Sequence, residues 1–469
     1  MVGRQKEYEN LIRLSKSDSS EFVAIYGRRR VGKTYLVKET FSNKFAFLHS
    51  GIANVGKSQQ ISNFTKSLRQ YGYTGKTPED WFEAFYCLQQ VLENKRSKKK
   101  IVFIDEMPWL DTPKSNFVPA LEHFWNGWAC FRNDIMLIVC GSATSWIVNK
   151  IFHNHGGLHN RVTFRIALQP FTLRECELYA KSLNLTLDRF QILETYMVFG
   201  GIPYYWRFLD KSMSMVQNID AVFFANDAPL KNEFNDLFAS LFKNDLPYIS
   251  IIEALSKCKS GLQRDEIIHK TKMQSNGVFT KCMSELEQSG FIRQYNMPGR
   301  KKKGALYQLT DNFSLFYLQF VQNNKSHNEQ FWQNIYGSPK YNTWAGFSFE
   351  RVCLQHITQI KEGLKIGGVS AEVYSWRANA TEDHDGAQID LVIDRNDRVV
   401  NICEMKYSPQ KYALAKRDKD SLTNKRETFC QETGCTKTIH LTMVTTYGIK
   451  HNAYWNYIQS QITMNELFT

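Results

Sequence analysis

Eight residues near the start of the chain, Gly27-Arg28-Arg29-Arg30-Val31-Gly32-Lys33-Thr34, have the types and spacing to hold the phosphates of a nucleotide. They fit G-x-x-x-x-G-K-T, a pattern whose glycines let successive backbone N–H groups face one anion. In that pattern Lys33 would neutralise the β- and γ-phosphates, and the Thr34 hydroxyl would ligate Mg²⁺. Tyr35 follows directly. A second set of groups, Asp105-Glu106, closes the apolar run Ile101-Val102-Phe103-Ile104. Behind a phosphate loop, Asp105 is expected to hold Mg²⁺ through water and Glu106 to polarise the attacking water. Ser142, after the apolar run 135–140, could sense the γ-phosphate. Ser142 or Thr144 could equally cap a helix. Arg161 could reach a neighbouring subunit's γ-phosphate, or make a surface salt bridge.

A second possible chemistry lies near the other end. Asp390 is embedded in Ala387-Gln388-Ile389-Asp390-Leu391-Val392, and Glu404 and Lys406 in Val399-Val400-Asn401-Ile402-Cys403-Glu404-Met405-Lys406. If the two runs form a hairpin, Asp390 and Glu404 lie side by side and could ligate Mg²⁺ with the backbone carbonyl of Met405. Lys406, two residues beyond Glu404, shares its strand face and could orient a water or stabilise charge on a phosphate. Glu350, in a helical stretch upstream, could reach the same metal. Charge on an otherwise apolar strand is costly without a purpose.

The elements that must position these groups are legible around them. Phe22-Val23-Ala24-Ile25-Tyr26 reads as a buried strand feeding the phosphate loop, and a helix follows whose positive N-terminal end favours an anion. Residues 1 to about 165 alternate strands and helices, the pattern of a parallel α/β sheet, with Gly3-Arg4-Gln5-Lys6-Glu7 expected near the nucleotide base. From 166 to about 244 the pattern is helical, broken by Phe199-Gly200-Gly201-Ile202-Pro203. Residues 245 to 312, within a domain running to about 325, predict a winged helix-turn-helix. Its third helix spans about 275–289, and its strands are 290–295 and 306–309. The basic run Arg300-Lys301-Lys302-Lys303 falls on the wing, which commonly touches phosphates. An exposed hairpin tip, or a wing that docks protein, gives the same pattern. The last domain is placed at 340–469.

Composition narrows the partners. The 469 residues are 43% hydrophobic and 22% charged, ordinary for a soluble globular chain of about three domains. The formal charge is +13, which favours an anionic partner such as nucleic acid. Lys95-Arg96 with Lys98-Lys99-Lys100 is expected to be a solvated loop. No stretch has the roughly 20 apolar residues of a membrane span, and the opening residues lack the apolar core of a signal peptide. Ten scattered cysteines, with only Cys430 and Cys435 close in sequence, read as reduced cytoplasmic thiols rather than a zinc site.

The order GRRRVGKT, FIDEMPWL, GSATS, GGIPYYW, a winged-helix pattern ending YQLTDNF, and QIDLVID with EMKYS resembles the archaeal-type P-loop ATPases of the AAA class that carry a C-terminal nuclease-like domain, a group with bacterial members. The resemblance covers nearly the whole chain. It implies a P-loop NTPase parallel sheet, a helical lid, a winged helix-turn-helix and a restriction-endonuclease-like α/β domain of PD-(D/E)XK type. Position by position, Lys33, Thr34, Asp105 and Glu106 match the ATPase motifs, and Glu350, Asp390, Glu404 and Lys406 match E…D…ExK. The loop 381–386 is less standard; it could add a metal ligand or be a solvated loop. The expected function is ATP binding and hydrolysis with action on DNA, Mg²⁺ at both sites, and possible homo-oligomers. The alternative is a nucleotide-switched binding module whose nuclease-like domain is inactive.

Overall fold

The computed structural model describes residues 2–153, 156–242, 244–258, 261–295, 305–324, 328–380 and 385–469. Two compact units divide the chain, Met1–Pro170 and Phe171–Thr469. The predicted wing run Arg300-Lys301-Lys302-Lys303 and residues 381–384 of the predicted acidic loop lie outside the described residues.

In the first unit, strands β1 (Glu21–Tyr26), β2 (Phe47–Ser50), β3 (Lys100–Asp105), β4 (Ile135–Gly141) and β5 (Phe164–Ala167) form one sheet in the order β2-β3-β4-β1-β5. Every pairing is parallel. Parallel sheets are covered on both faces, which is why β3 and β4 read as near-continuous apolar runs. Both are buried along their whole length. Phe64, Trp81, Phe85, Phe117 and Phe124, from three helices, fill the core against β1, β3 and β4. Because β1 lies between β4 and β5, the ends of β1, β3 and β4 open together at the carboxyl edge, where open α/β sheets bind ligands.

One sequence expectation fails in this unit. Lys99 and Lys100 are not a solvated loop: Lys100 is the first residue of β3, 5% exposed, and ion-paired to Asp134. The Lys99 ammonium donates to the carbonyls of Ser17, Ser19 and Asn133 at 2.6–3.1 Å. A carboxylate and three turn carbonyls at the amino edge of the sheet take up both charges.

The second unit begins with helices. Gly200 ends the helix Arg189–Phe199 at φ 61°, and Phe171 N–H donates to the Gly201 carbonyl at 2.7 Å. A Cβ at Gly201 would stand 1.8 Å from the Phe171 carbonyl oxygen, so this crossing admits only glycine. Gly201→Ala is therefore expected to cost about 3 kcal/mol, read as a lower melting temperature of the full chain.

Helices Leu246–Ser256, Arg264–Thr271 and Gly277–Gln288 follow, with a three-stranded antiparallel sheet of β6 (Leu262–Gln263), β7 (Ile292–Tyr295) and β8 (Leu306–Leu309) in the order β6-β8-β7. Asn276 caps Gly277–Gln288 by accepting from Val278 and Phe279 N–H, and Phe279, Met283 and Leu286 face inward. The helix Pro339–Gln355 precedes a mixed sheet of β9 (Ala371–Ala378), β10 (Ala387–Arg395), β11 (Val399–Lys406), β12 (Thr438–Thr445) and β13 (Ser460–Thr463). Its order is β13-β12-β11-β10-β9, antiparallel from β9 to β11 and parallel beyond. The helix Lys416–Thr433 covers one face through Leu422 and Phe429.

Candidate functional sites

At the carboxyl edge of the first sheet, β1 delivers the chain into Gly27 at φ 140°. A Cβ there would meet the Leu168 carbonyl oxygen at 2.3 Å, so the loop needs glycine on steric as well as conformational grounds. Arg28, Arg29, Arg30 and Val31 carry the loop round to Gly32, φ 94°, the N-cap of the helix Lys33–Thr40. Arg28 and Val31 are buried. The Arg4 guanidinium donates to the carbonyls of Gln169 at 2.6 Å and Val31 at 3.4 Å, tying the opening residues to the loop. The Lys33 ammonium donates to the Gly27 and Arg28 carbonyls, each at 2.9 Å. Tyr35 is exposed on the helix that follows.

The Thr34 hydroxyl donates to Asp105 at 2.7 Å, so loop and acidic strand meet. Asp105 also accepts from the Glu106 N–H at 3.0 Å. Glu106 itself adopts φ 46°, ψ 43°, a left-handed conformation that L-residues other than Asn and Asp rarely take. Such strain persists where surrounding structure enforces it, and it is concentrated at functional sites. The Glu106 carboxylate accepts from the Ser142 hydroxyl at 2.8 Å and from its N–H at 3.3 Å. Neither alternative offered for a helix cap at 142–144 is seen: the short helix Thr144–Ile147 has Ala143 at its N-cap and no side-chain cap. The nearby carboxylate is the stronger acceptor and takes the Ser142 hydroxyl instead. Arg161 is exposed and makes no ion pair among the described residues.

The C-terminal residues converge as well. Glu350, Asp390, Glu404 and Lys406 line one cavity of about 210 Å³, together with Gly386, Gln388, Ser421, Asn424 and Lys425. The register Leu391↔Cys403 sets Asp390 beside Glu404 on the adjoining strands. The pairing of β10 with β9 shifts between Ile389 and Val392, a bulge that re-aims Asp390. The Ser375 hydroxyl fixes that bulge by donating to the Asp390 carbonyl at 2.6 Å. Gln388 donates to the Asp390 carboxylate at 2.7 Å.

Glu404 takes one ammonium on each oxygen, Lys406 at 2.8 Å and Lys425 at 2.6 Å. Burial pushes the Glu404 carboxyl up, but Lys425 and then Lys406 outweigh it and hold it below the usual range. Burial pulls Lys406 down, and Glu404 more than restores it. The residue after Lys406 anchors the strand end: the Tyr407 hydroxyl donates to buried Glu194 at 2.9 Å, a carboxylate shared with Tyr336 and Tyr341. Burial raises the Glu194 carboxyl above its ordinary value despite these three phenols.

Three carboxylates in one cavity are the donor chemistry a hard divalent cation takes. As placed, no group of three His, Cys, Asp or Glu side chains among the described residues is arranged to hold a metal ion, and Glu404 is turned to its two lysines. The donor types suit such an ion, and Glu404 would have to leave its two lysines to join Glu350 and Asp390 on it. Gln388 and Lys425 escaped the sequence reading. A signal for Lys425 was present: Ser421, Asn424, Lys425 and Thr428 fall at i, i+3, i+4 and i+7, a polar stripe beside Leu422 and Phe429.

Residues 1–207 match the family described as an ATPase domain predominantly from Archaea, and residues 317–419 match a family of archaeal and bacterial proteins of unknown function, DUF234. An uncharacterised protein of Methanocaldococcus jannaschii is 25% identical over 426 residues, covering 87% of this chain and 88% of its own. Among solved structures, the chain is similar to the Walker-type ATPase of Pyrococcus abyssi at TM-score 0.47 and 16% identity, over 68% of this chain and 96% of that one. It is also similar to the Aeropyrum pernix ORC2 protein in its ADPNP–ADP complexes, at TM-score 0.42 and 16% identity, over 67% and 92%. Among the described residues no helix is long and apolar enough to cross a membrane. The chain thus carries an archaeal-type ATPase domain in its first part and a DUF234 domain in its C-terminal part.

Proposed function

We propose that this protein binds and hydrolyses ATP with Mg²⁺ and acts on DNA, using a divalent-dependent phosphodiesterase site in its C-terminal sheet. The observation that carries the ATPase reading is the 2.7 Å bond from Thr34 to Asp105, which puts a phosphate loop and an acidic strand end around one point. Mg²⁺ held there by Thr34 and Asp105 would neutralise charge on the phosphates. Lys33 would exchange its two loop carbonyls for the β- and γ-phosphate oxygens. Glu106 would accept a proton from the attacking water as the new P–O bond forms and the bond to the bridging oxygen breaks, giving ADP and phosphate. Ser142 would move its hydroxyl and N–H from Glu106 to the γ-phosphate, freeing the carboxylate. Arg161, exposed, would serve a neighbouring copy's nucleotide in a homo-oligomer.

In the C-terminal domain, Glu350, Asp390, Glu404 and the Met405 carbonyl would hold the cation, which would supply Lewis-acid charge and an activated water. Lys406 would orient that water. The water oxygen bonds to phosphorus, the bond to the leaving sugar oxygen breaks, and the proton passes in net to that oxygen. Contact with DNA is assigned to the winged-helix segment, with Arg300, Lys301, Lys302 and Lys303 on the phosphates.

A second reading, a nucleotide-switched binding module with an inactive C-terminal domain, is favoured by one observation: both Glu404 oxygens are engaged by lysines. Cleavage of plasmid and linear DNA with Mg²⁺ or Mn²⁺, with and without ATP, separates the two. Metal-dependent cutting supports the first; ATP turnover without cutting under any condition supports the second. Under both, Lys33→Ala removes a buried charge partner of the phosphates, worth about 2–5 kcal/mol. ATP affinity should weaken by on the order of 10²-fold or more, measured by calorimetric titration of the full chain. Unchanged affinity would remove the phosphate loop from the site.

A further inference from the structure

The lysine at position 425 has no place in the pairing of Asp390 and Glu404 described above. It comes from the helix Lys416–Thr433, outside both strands, yet its ammonium stands 2.6 Å from a Glu404 oxygen, with both side chains only 15% exposed. Glu404 already has Lys406 at 2.8 Å on its other oxygen. One ammonium suffices to neutralise one carboxylate. Burying a second against the same group adds its desolvation cost and its repulsion with the first. That second ammonium becomes available to another anion once Glu404 turns to a cation.

Charge counting says which anion and how many cations. Among the described residues lining the cavity, three carboxylates face two ammoniums, an excess of one negative charge. One divalent cation turns this into one positive charge, and one phosphodiester brings it to neutrality. A second divalent cation would leave the loaded cavity with two positive charges. Without Lys425, two divalent cations and one phosphodiester would balance to one positive charge. Resting on the phosphodiesterase reading, we infer that Lys425 contacts the scissile phosphate directly and takes the place of a second metal, so that the site works with a single divalent cation. Lys425 is then a catalytic residue, released from Glu404 when that carboxylate turns to the cation.

The test uses the nucleotide-free full chain, with Mn²⁺ as the probe. Bound Mn²⁺ is counted by electron paramagnetic resonance, and the number that disappears in Asp390→Ala is assigned to this cavity. The wild type should hold about one such ion. Lys425→Ala should bind Mn²⁺ about tenfold more tightly or take up a second ion, since one repelling charge is gone. Lys425→Arg, which keeps the charge, should stay at one. In parallel, DNA cleavage by Lys425→Ala should fall about 10²-fold at low Mn²⁺. It should recover partly at high Mn²⁺, with the Hill slope rising from about one towards two, and Lys425→Arg should retain most of the rate.

Two Asp390-dependent ions in the wild type would overturn the inference. So would a Lys425→Ala chain with the wild-type ion count, affinity and metal dependence. A wild type that cuts no DNA while the Mn²⁺ counts come out as expected would sink the phosphodiesterase reading and the phosphate contact, and leave the single-cation assignment standing.

Discussion

Glu106→Gln is expected to leave ATP bound and to slow its hydrolysis by roughly 10²–10⁴, the range that loss of a positioned general base gives. The substitution is nearly isosteric. The Gln carbonyl oxygen can still accept from the Ser142 hydroxyl, so the contact that now holds Glu106 survives. Thr34, Asp105 and Lys33 keep their own bonds, none of which involves the Glu106 side chain. What disappears is the ability to take a proton from water. ATP affinity should therefore match the wild type in a calorimetric titration, while single-turnover release of phosphate falls. If phosphate release is unchanged, Glu106 is not the base and its left-handed backbone needs another explanation. If binding falls as well, the carboxylate is helping to organise the loop.

Much of this site was legible because its groups arrive within short, contiguous motifs. Gly27 to Thr34 and Asp105-Glu106 each combine an apolar strand with the polar residues at its end, and parallel strands in one sheet deliver those ends to the same edge. The bond between Ser142 and Glu106 was not legible, since a serine after a strand caps a helix as readily as it meets a carboxylate. Which it does depends on a neighbour 36 residues away. Lys99 and Lys100 misled for a related reason: a basic run reads as solvated until Asp134 and three turn carbonyls are brought against it. In the C-terminal domain, Asp390, Glu404 and Lys406 were visible as charges on apolar strands. Lys425 was hidden on a helix that reads as mostly polar, where one lysine among many carries no mark of the cavity it lines.

The electrostatics of the two sites differ in kind. At the phosphate loop Lys33 is held by neutral carbonyls, those of Gly27 and Arg28. An incoming phosphate then has to displace only weak partners. In the C-terminal cavity the cations are held by a carboxylate, Glu404. A phosphate must wait there until a divalent cation claims that carboxylate, so metal and DNA should bind in a positively linked manner.

Asp390→Ala tests that linkage at its centre. Asp390 has Gln388 at 2.7 Å as its described side-chain partner, a neutral group that a cation can readily displace. The backbone that places it does not depend on its side chain: the bulge rests on strand pairing and on Ser375 donating to the Asp390 carbonyl. The fold should therefore survive, and ATP turnover with it. Loss of the cation removes several kcal/mol of transition-state charge stabilisation. Metal-dependent cutting should accordingly fall by about 10³-fold or more. DNA affinity should lose its dependence on Mg²⁺ at the same time, because the lysines remain locked on Glu404. A variant that still cuts at the wild-type rate would place the metal elsewhere. One that stops cutting yet keeps Mg²⁺-dependent DNA binding would separate catalysis from cation binding and break the linkage argued here.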